Sequence, residues 1–230
     1  MKYISKTSEP NSLLRHRAKP YSSFDNISLD DKEELRQSLL SEQGCICCYC
    51  TKRIPEKIEK DGRVSYDMKV EHYKSQEHFT ALQLSYTNLH GACTGNEGKP
   101  KKLQTCDTKK GSLEITIKLL SNQPNCETLL KYNSDGEIRS AIDDVEINRQ
   151  LNEVLNLNMQ SLKDNRQEVY TLVQEKVRNE SKKFRNDKAS FSHFLEQEKI
   201  NWSVRTDNKH RPFCMVAIYY LNKKIRQNQS

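Results

Sequence analysis

The sequence predicts an α+β fold, mostly helical, in which an irregular core that needs a staple is followed by a helical C-terminal region. Residues 45–111 break into short apolar pieces punctuated by Gly62, Gly91, Gly95, Gly98 and Gly111, and this stretch holds six of the eight cysteines. From about residue 142 the pattern turns helical, with Leu151, Leu155, Leu162, Val169, Val173 and Val177 spaced to share one face. The chain has 230 residues, 34% hydrophobic and 30% charged, enough for one substantial core or one core plus a small module.

Residues 1–44 read as an N-terminal arm and helix. In SLDDKEELRQSLLSEQG, Ser28 precedes an acidic first turn and Gly44 follows the last one, so both ends are capped. That helix delivers the chain to CICCYC, residues 45–50, which packs four cysteines into six residues. No run approaches the roughly 18 apolar residues that span a bilayer, and MKYISKTSEP lacks the apolar stretch of a secretory signal. The expectation is therefore a soluble, cytoplasmic chain with no membrane contact, where thiols stay reduced and serve as metal ligands or catalytic groups rather than disulfides.

Cys47 and Cys50 form a C-x-x-C pair, the spacing that lets two thiolates take two corners of a tetrahedron around zinc. Cys93 and Cys106 are the natural completion, because Cys126 and Cys214 lie in other surroundings. Cys45 and Cys48 alternate with the proposed ligands and read as small buried residues or spare thiols, with a swapped pairing through either left open. A redox C-x-x-C needs a βαβ context that this irregular segment does not offer.

Lys and Arg number 38 against 31 Asp and Glu, a net charge of +7 that is compatible with a polyanionic partner. GKPKK at 98–102 and Lys109–Lys110 put part of that excess beside the later cysteines, as a substrate clamp or as a solvated loop. Residues 121–230 read as a helical region serving as scaffold or partner surface, and its apolar end, RPFCMVAIYYLNKKIRQ, as a final helix or strand.

Between the cysteine pairs lie VEHYKSQ (70–76) and YTNLHGAC (86–93), and CDTKKG (106–111) closes the set. Together these resemble the HNH endonuclease motif, a ββα-metal finger often built around a four-cysteine zinc site. The resemblance makes residues 45–120 the nuclease core. It implies Glu71 and His72 as the acid–His step, Asn88 as the central Asn, Asp107 as the third catalytic position and Lys110 as the downstream Lys. The sequence departs from the pattern in TGNEGKPKKLQT, residues 94–105, where the common motif has two residues; Asn96 is therefore a rival for the third position.

The implied roles follow from the chemistry of phosphodiester hydrolysis. Neutral His72 takes the proton from water, and Asn88 orients the imidazole through its side-chain carbonyl. Glu71 and Asp107 offer hard oxygen ligands to one Mg²⁺ or Mn²⁺, and Lys110 adds positive charge beside the transition state. His78 and His90 either reach phosphate, substitute as zinc ligands, or simply sit at the surface.

The layout from MKYISKTSEP through these motifs to the helical C-terminal half is similar to the HNH nuclease subunit of Septu antiphage systems (PtuB-like), related forms of which accompany retrons. The distinctive motifs cover residues 47–111. The resemblance implies a toxic defence effector controlled by an ABC-type or SMC-like ATPase (PtuA-like), and in retron versions a reverse transcriptase with its RNA-linked DNA. Helices within 142–200 would then be the docking surface. The substrate is DNA or a host RNA such as tRNA. The competing expectation is a non-catalytic zinc-stabilised module that binds nucleic acid or protein.

Overall fold

The computed structural model describes residues 1–55, 57–60 and 63–229; Gly62 lies outside the described residues. The fold is α+β. Helices α1 (Asn11–Arg17) and α2 (Leu29–Gln43) lead into the cysteine turn, followed by the antiparallel pair β1 (Lys57–Lys60) and β2 (Arg63–Tyr66). A second antiparallel pair, β3 (Met68–His72) and β4 (Leu89–Cys93), precedes the short helix α3 (Cys106–Lys110). A third pair, β5 (Leu130–Tyr132) and β6 (Ile138–Ser140), leads to α4 (Val145–Arg149), α5 (Gln160–Lys183), α6 (Lys188–Ser203) and α7 (Cys214–Gln229). No helix among the described residues is long and apolar enough to cross a membrane.

Helix α2 has the boundaries its sequence dictates. The Ser28 side chain accepts from the Asp31 amide at 3.2 Å, with Asp30 and Asp31 in the first turn. Gly44 ends the helix in the left-handed conformation, φ 58°, and a Cβ there would lie 2.6 Å from His210 Cδ2. The apolar stripe of α2 packs Leu35 and Leu39 against Leu13, Ile27, Leu84, Tyr86 and Leu89 in a small core.

The main core is continuous across the chain. It joins Met1, Ile4, Cys47, Tyr49, Cys50, Ile54, Cys93 and Cys106 to Leu130, Leu155, Val173 and the buried face of α7. The terminal apolar stretch is a helix rather than a strand, and Tyr220 on α7 meets Tyr170 on α5 at 5.0 Å between ring centroids. Each apolar side chain buried this way contributes about 1.5–3 kcal/mol.

Two features differ from the sequence expectation. The region from 121 onward is not helical throughout, because Leu130–Ser140 forms a hairpin whose tip turns at Gly136, φ 79°. A Cβ on Gly136 would lie 2.0 Å from the Lys163 carbonyl oxygen, and the Gly136 carbonyl instead accepts from the buried Arg166 Nε at 2.6 Å. The run Leu151 to Val177 is also not one helical face. A π-helical turn at Gln150–Val154 ends the first segment, and the chain re-enters helix only at Gln160.

His210 ties the cysteine turn to the C-terminal helices. Its amide donates to the Gly44 carbonyl at 2.9 Å, its carbonyl accepts from Arg53, and its Nε2 accepts from Arg205 Nε at 3.2 Å. Burial, then the charges of Lys2, Arg205 and Arg53, lowers its pKa from 6.5 to about 4. The unfolded imidazole binds a proton near pH 6.5 and the folded one near pH 4, so stability falls as pH drops through that window. In His210→Gln the stability difference between pH 7 and pH 5 should shrink by about 2 kcal/mol, measured by denaturant unfolding at each pH. An unchanged difference would contradict this assignment.

Candidate metal centre and adjoining acid cluster

The ligand atoms of Cys47, Cys50, Cys93 and Cys106 all lie within 4.8 Å of one another, and all four residues are buried. The Cys50 and Cys93 sulfurs are 3.8 Å apart, and those of Cys93 and Cys106 3.7 Å. Zn–S bonds of about 2.3 Å in a tetrahedron place sulfurs about 3.8 Å apart. These are ligand-edge distances, and among the described residues every cysteine is free of disulfide. The cluster could hold a metal such as zinc. Burial raises the Cys47 pKa, but hydrogen bonds from Cys106, Cys48, Cys50 and Cys93 outweigh it and leave this thiol well below its ordinary range. Burial raises Cys48 well above it.

Local hydrogen bonding explains why the chain turns here. The Cys47 amide donates to Lys52 O and the Thr51 amide to Cys47 O, at 2.9 and 3.0 Å, closing a tight loop with Thr51 at φ 61°. The Cys48 amide donates to Gly91 O at 3.0 Å, which fastens the first half-site to β4. The buried Gln43 side chain completes this join by donating to Ile46 O and Gly91 O and accepting from the Gly91 amide at 2.7 Å. Residues 94–105 leave the centre intact because their base is closed. The Thr105 amide donates to Gly95 O at 2.9 Å, and Gly95, φ 56°, approaches so closely that a Cβ would lie 2.2 Å from Thr105 O.

Against this centre lies a buried charged cluster. The Tyr49 hydroxyl, from within the cysteine turn, donates to Glu71 Oε1 at 2.6 Å, and Lys110 Nζ reaches the same oxygen at 2.8 Å. Lys110 also donates to the His72 carbonyl at 3.1 Å. Glu71 is 1% exposed, and its second oxygen, Oε2, has no hydrogen-bond partner. Burial first, then the neighbouring carboxyl of Asp107, raises the Glu71 pKa well above the carboxylate range, with Lys110 opposing. Each carboxylate has its own lysine, Lys110 on Glu71 and Lys69 on Asp107, and Glu71 Oε2 is the oxygen left over.

His72 follows Glu71 on β3. Its Nε2 lies 3.0 Å from the Gln83 carbonyl, which can only accept; the ring proton is therefore on Nε2, and Nδ1 carries the lone pair. Burial lowers the His72 pKa against the opposing Gln83 bond and Asp107 charge, so the ring is neutral at pH 7. Phe24 meets the imidazole edge-on at 4.5 Å.

Several expected placements change. Asn88 does not touch the imidazole, since its Oδ1 accepts from the Lys74 amide at 2.7 Å and its Nδ2 donates to Lys74 O and Leu82 O. It closes the loop that presents Gln83, and the Gln83 carbonyl orients His72. Lys110 is buried against Glu71 and does not face open solvent. His90 is buried rather than at the surface, because all of β4 runs through the interior. It stands outside the four-sulfur group. His78 is exposed. Asn96 is exposed on the 94–105 loop, where its amide donates to Leu103 O at 2.7 Å, whereas Asp107 stands beside Glu71. An open cleft of about 340 Å³, lined by His78, Lys101, Thr108, Lys109 and Ser112, adjoins α3. The sequence reading missed Tyr49 and Gln43 as partners, although Tyr49 within C-x-Y-C was visible.

No family model and no curated protein matches the chain.

If the four sulfurs share a metal, Cys106→Ser should lower stability by several kcal/mol and abolish the response to a chelator, as read from thermal melts. Cys48→Ser should cost about 1–2 kcal/mol and leave that response intact. Equal losses in the two variants would remove Cys106 from the ligand set.

Proposed function

We propose that the chain is a metal-dependent HNH endonuclease that hydrolyses phosphodiester bonds, with zinc in the four-cysteine cluster and Mg²⁺ or Mn²⁺ at Glu71 and Asp107. The observation that carries this reading is the antiparallel β3–β4 pair followed by α3, with His72 oriented by the Gln83 carbonyl and feeling the Asp107 charge, next along β3 to Glu71. The four cysteines support the zinc assignment, and a bound zinc would supply folding energy to strands too short to stand alone.

In this reading His72 Nδ1 accepts the proton of the attacking water, and the Gln83 carbonyl holds Nε2–H so that the ring keeps one tautomer. Asn88 is a positioning residue acting through the loop that carries Gln83. Glu71 Oε2 and an oxygen of Asp107 would hold the hard cation, the unpartnered buried oxygen being the one that needs it. A bound Mg²⁺ or Mn²⁺ supplies positive charge for the phosphate and the leaving oxygen. Tyr49 and Lys110 keep Glu71 in place rather than meeting substrate.

The same reading makes the chain an effector of a Septu- or retron-type defence system. An ATPase partner restrains it, helices within 142–200 dock that partner, and DNA or a host RNA such as tRNA is the polymer cut. Lys101 and Lys109, which line the open cleft, suit a polyanion. A second reading, a non-catalytic zinc module that binds nucleic acid or protein, is favoured by the cover over the reactive groups: Phe24 lies on His72, and Glu71 is sealed.

His72→Ala should reduce cleavage at least about a hundredfold while the protein keeps its fold and its zinc. The assay is nucleic-acid cleavage with Mg²⁺ or Mn²⁺ in the presence of the ATPase partner. Unchanged cleavage by the variant would contradict the first reading, and a wild-type chain that binds nucleic acid without ever cutting it would establish the second.

A further inference from the structure

Lys69 lies on the same face of β3 as Glu71, two residues away, and points to Asp107. Its ammonium is 3.4 Å from Asp107 Oδ2, 3.1 Å from Glu97 Oε1 and 3.4 Å from Thr108 Oγ1. Glu97 comes from the 94–105 loop, the segment that departs from the HNH pattern, and its side chain is 61% exposed. The Asp107 side chain is 17% exposed, so Lys69 stands on the open side of the carboxylate pair. On the closed side, Glu71 Oε2 is buried without a partner.

We propose that Lys69 is a built-in competitor for the divalent cation of the Glu71–Asp107 pair, and that Glu97 sets how strongly it competes. This rests on the metal assignment made above for those carboxylates. A cation joining Glu71 Oε2 to Asp107 would share the Asp107 carboxylate with the Lys69 ammonium, 3.4 Å from Oδ2, and two positive centres that close repel. Glu97 already holds the ammonium at 3.1 Å, so displacement from Asp107 gives up one of two ion pairs rather than leaving a bare charge. The loop thereby tunes cation affinity from outside the ligand set, with Lys69 shared between Asp107 and Glu97 when the cation is absent.

Opposite signs are expected for the two partners. Lys69→Met should tighten Mn²⁺ binding by roughly fivefold, the scale of a partly exposed charge pair, and Glu97→Gln should weaken it by roughly twofold to threefold. A fold defect in either variant would weaken binding in both. Lys223→Met, an equal charge change on the exposed side of α7, should leave affinity within about 1.5-fold.

The experiment titrates Mn²⁺ into the zinc-loaded full chain and follows free Mn²⁺ by electron paramagnetic resonance, with Asp107→Asn marking the site. Tighter binding in Lys69→Met with weaker binding in Glu97→Gln supports the proposal. Wild-type binding that Asp107→Asn abolishes but Lys69→Met leaves unchanged or weakens would overturn the competition alone. Wild-type chain with no Asp107-dependent binding would overturn both the competition and the cation site beneath it.

Discussion

Cys47, Cys50, Cys93 and Cys106 come from three places in the chain, and their sulfurs meet within 4.8 Å in the interior. The strands around them are too short to hold such a meeting by ladder hydrogen bonds alone: β3 and β4 are five residues each, and β3 leaves its polar residues Glu71 and His72 inside. What keeps β4 in register is its attachment to the cysteine turn, through the Cys48 amide and the Gln43 side chain on Gly91. The helix that carries Asp107 and Lys110 begins at Cys106 itself, so its position is set at the same point.

The cluster and the acid site form one mechanical unit. Tyr49 lies inside the cysteine turn and its hydroxyl reaches Glu71, while Lys110, one turn along α3 from Cys106, reaches the same oxygen. Buried charges of this kind are stable only when each has its partners, and removing one partner costs about 3–5 kcal/mol. A disturbance at the sulfurs therefore moves the groups that orient Glu71. On the proposed reading this is why a structural metal and a catalytic cation, chosen by soft and hard ligands respectively, can sit side by side without exchanging places.

Much of this was legible in the sequence where local chemistry decides the outcome. Ser28 and Gly44 mark both ends of α2, and the spacing of Cys47 and Cys50 marks a two-ligand turn. Groups whose roles depend on long-range packing were not legible. Gln43 looks like any polar residue in a last helical turn until Gly91 arrives beside it, and Asn88 has several equivalent partners in an extended chain. The β5–β6 hairpin had a readable turn in Asn-Ser-Asp-Gly, masked by the helical pattern that follows it. Leu151 and Leu155 fit the period of α5 but precede it, because burial against the core and membership of a helix leave the same apolar mark.

The central claim is that the four converging sulfurs are one zinc site. Zinc K-edge X-ray absorption on the purified chain tests it directly, because the first coordination shell reports ligand type and distance without reference to activity. The account predicts four sulfur neighbours at about 2.3 Å. A shell of nitrogen and oxygen ligands, or protein that is fully folded with no bound metal, would contradict it.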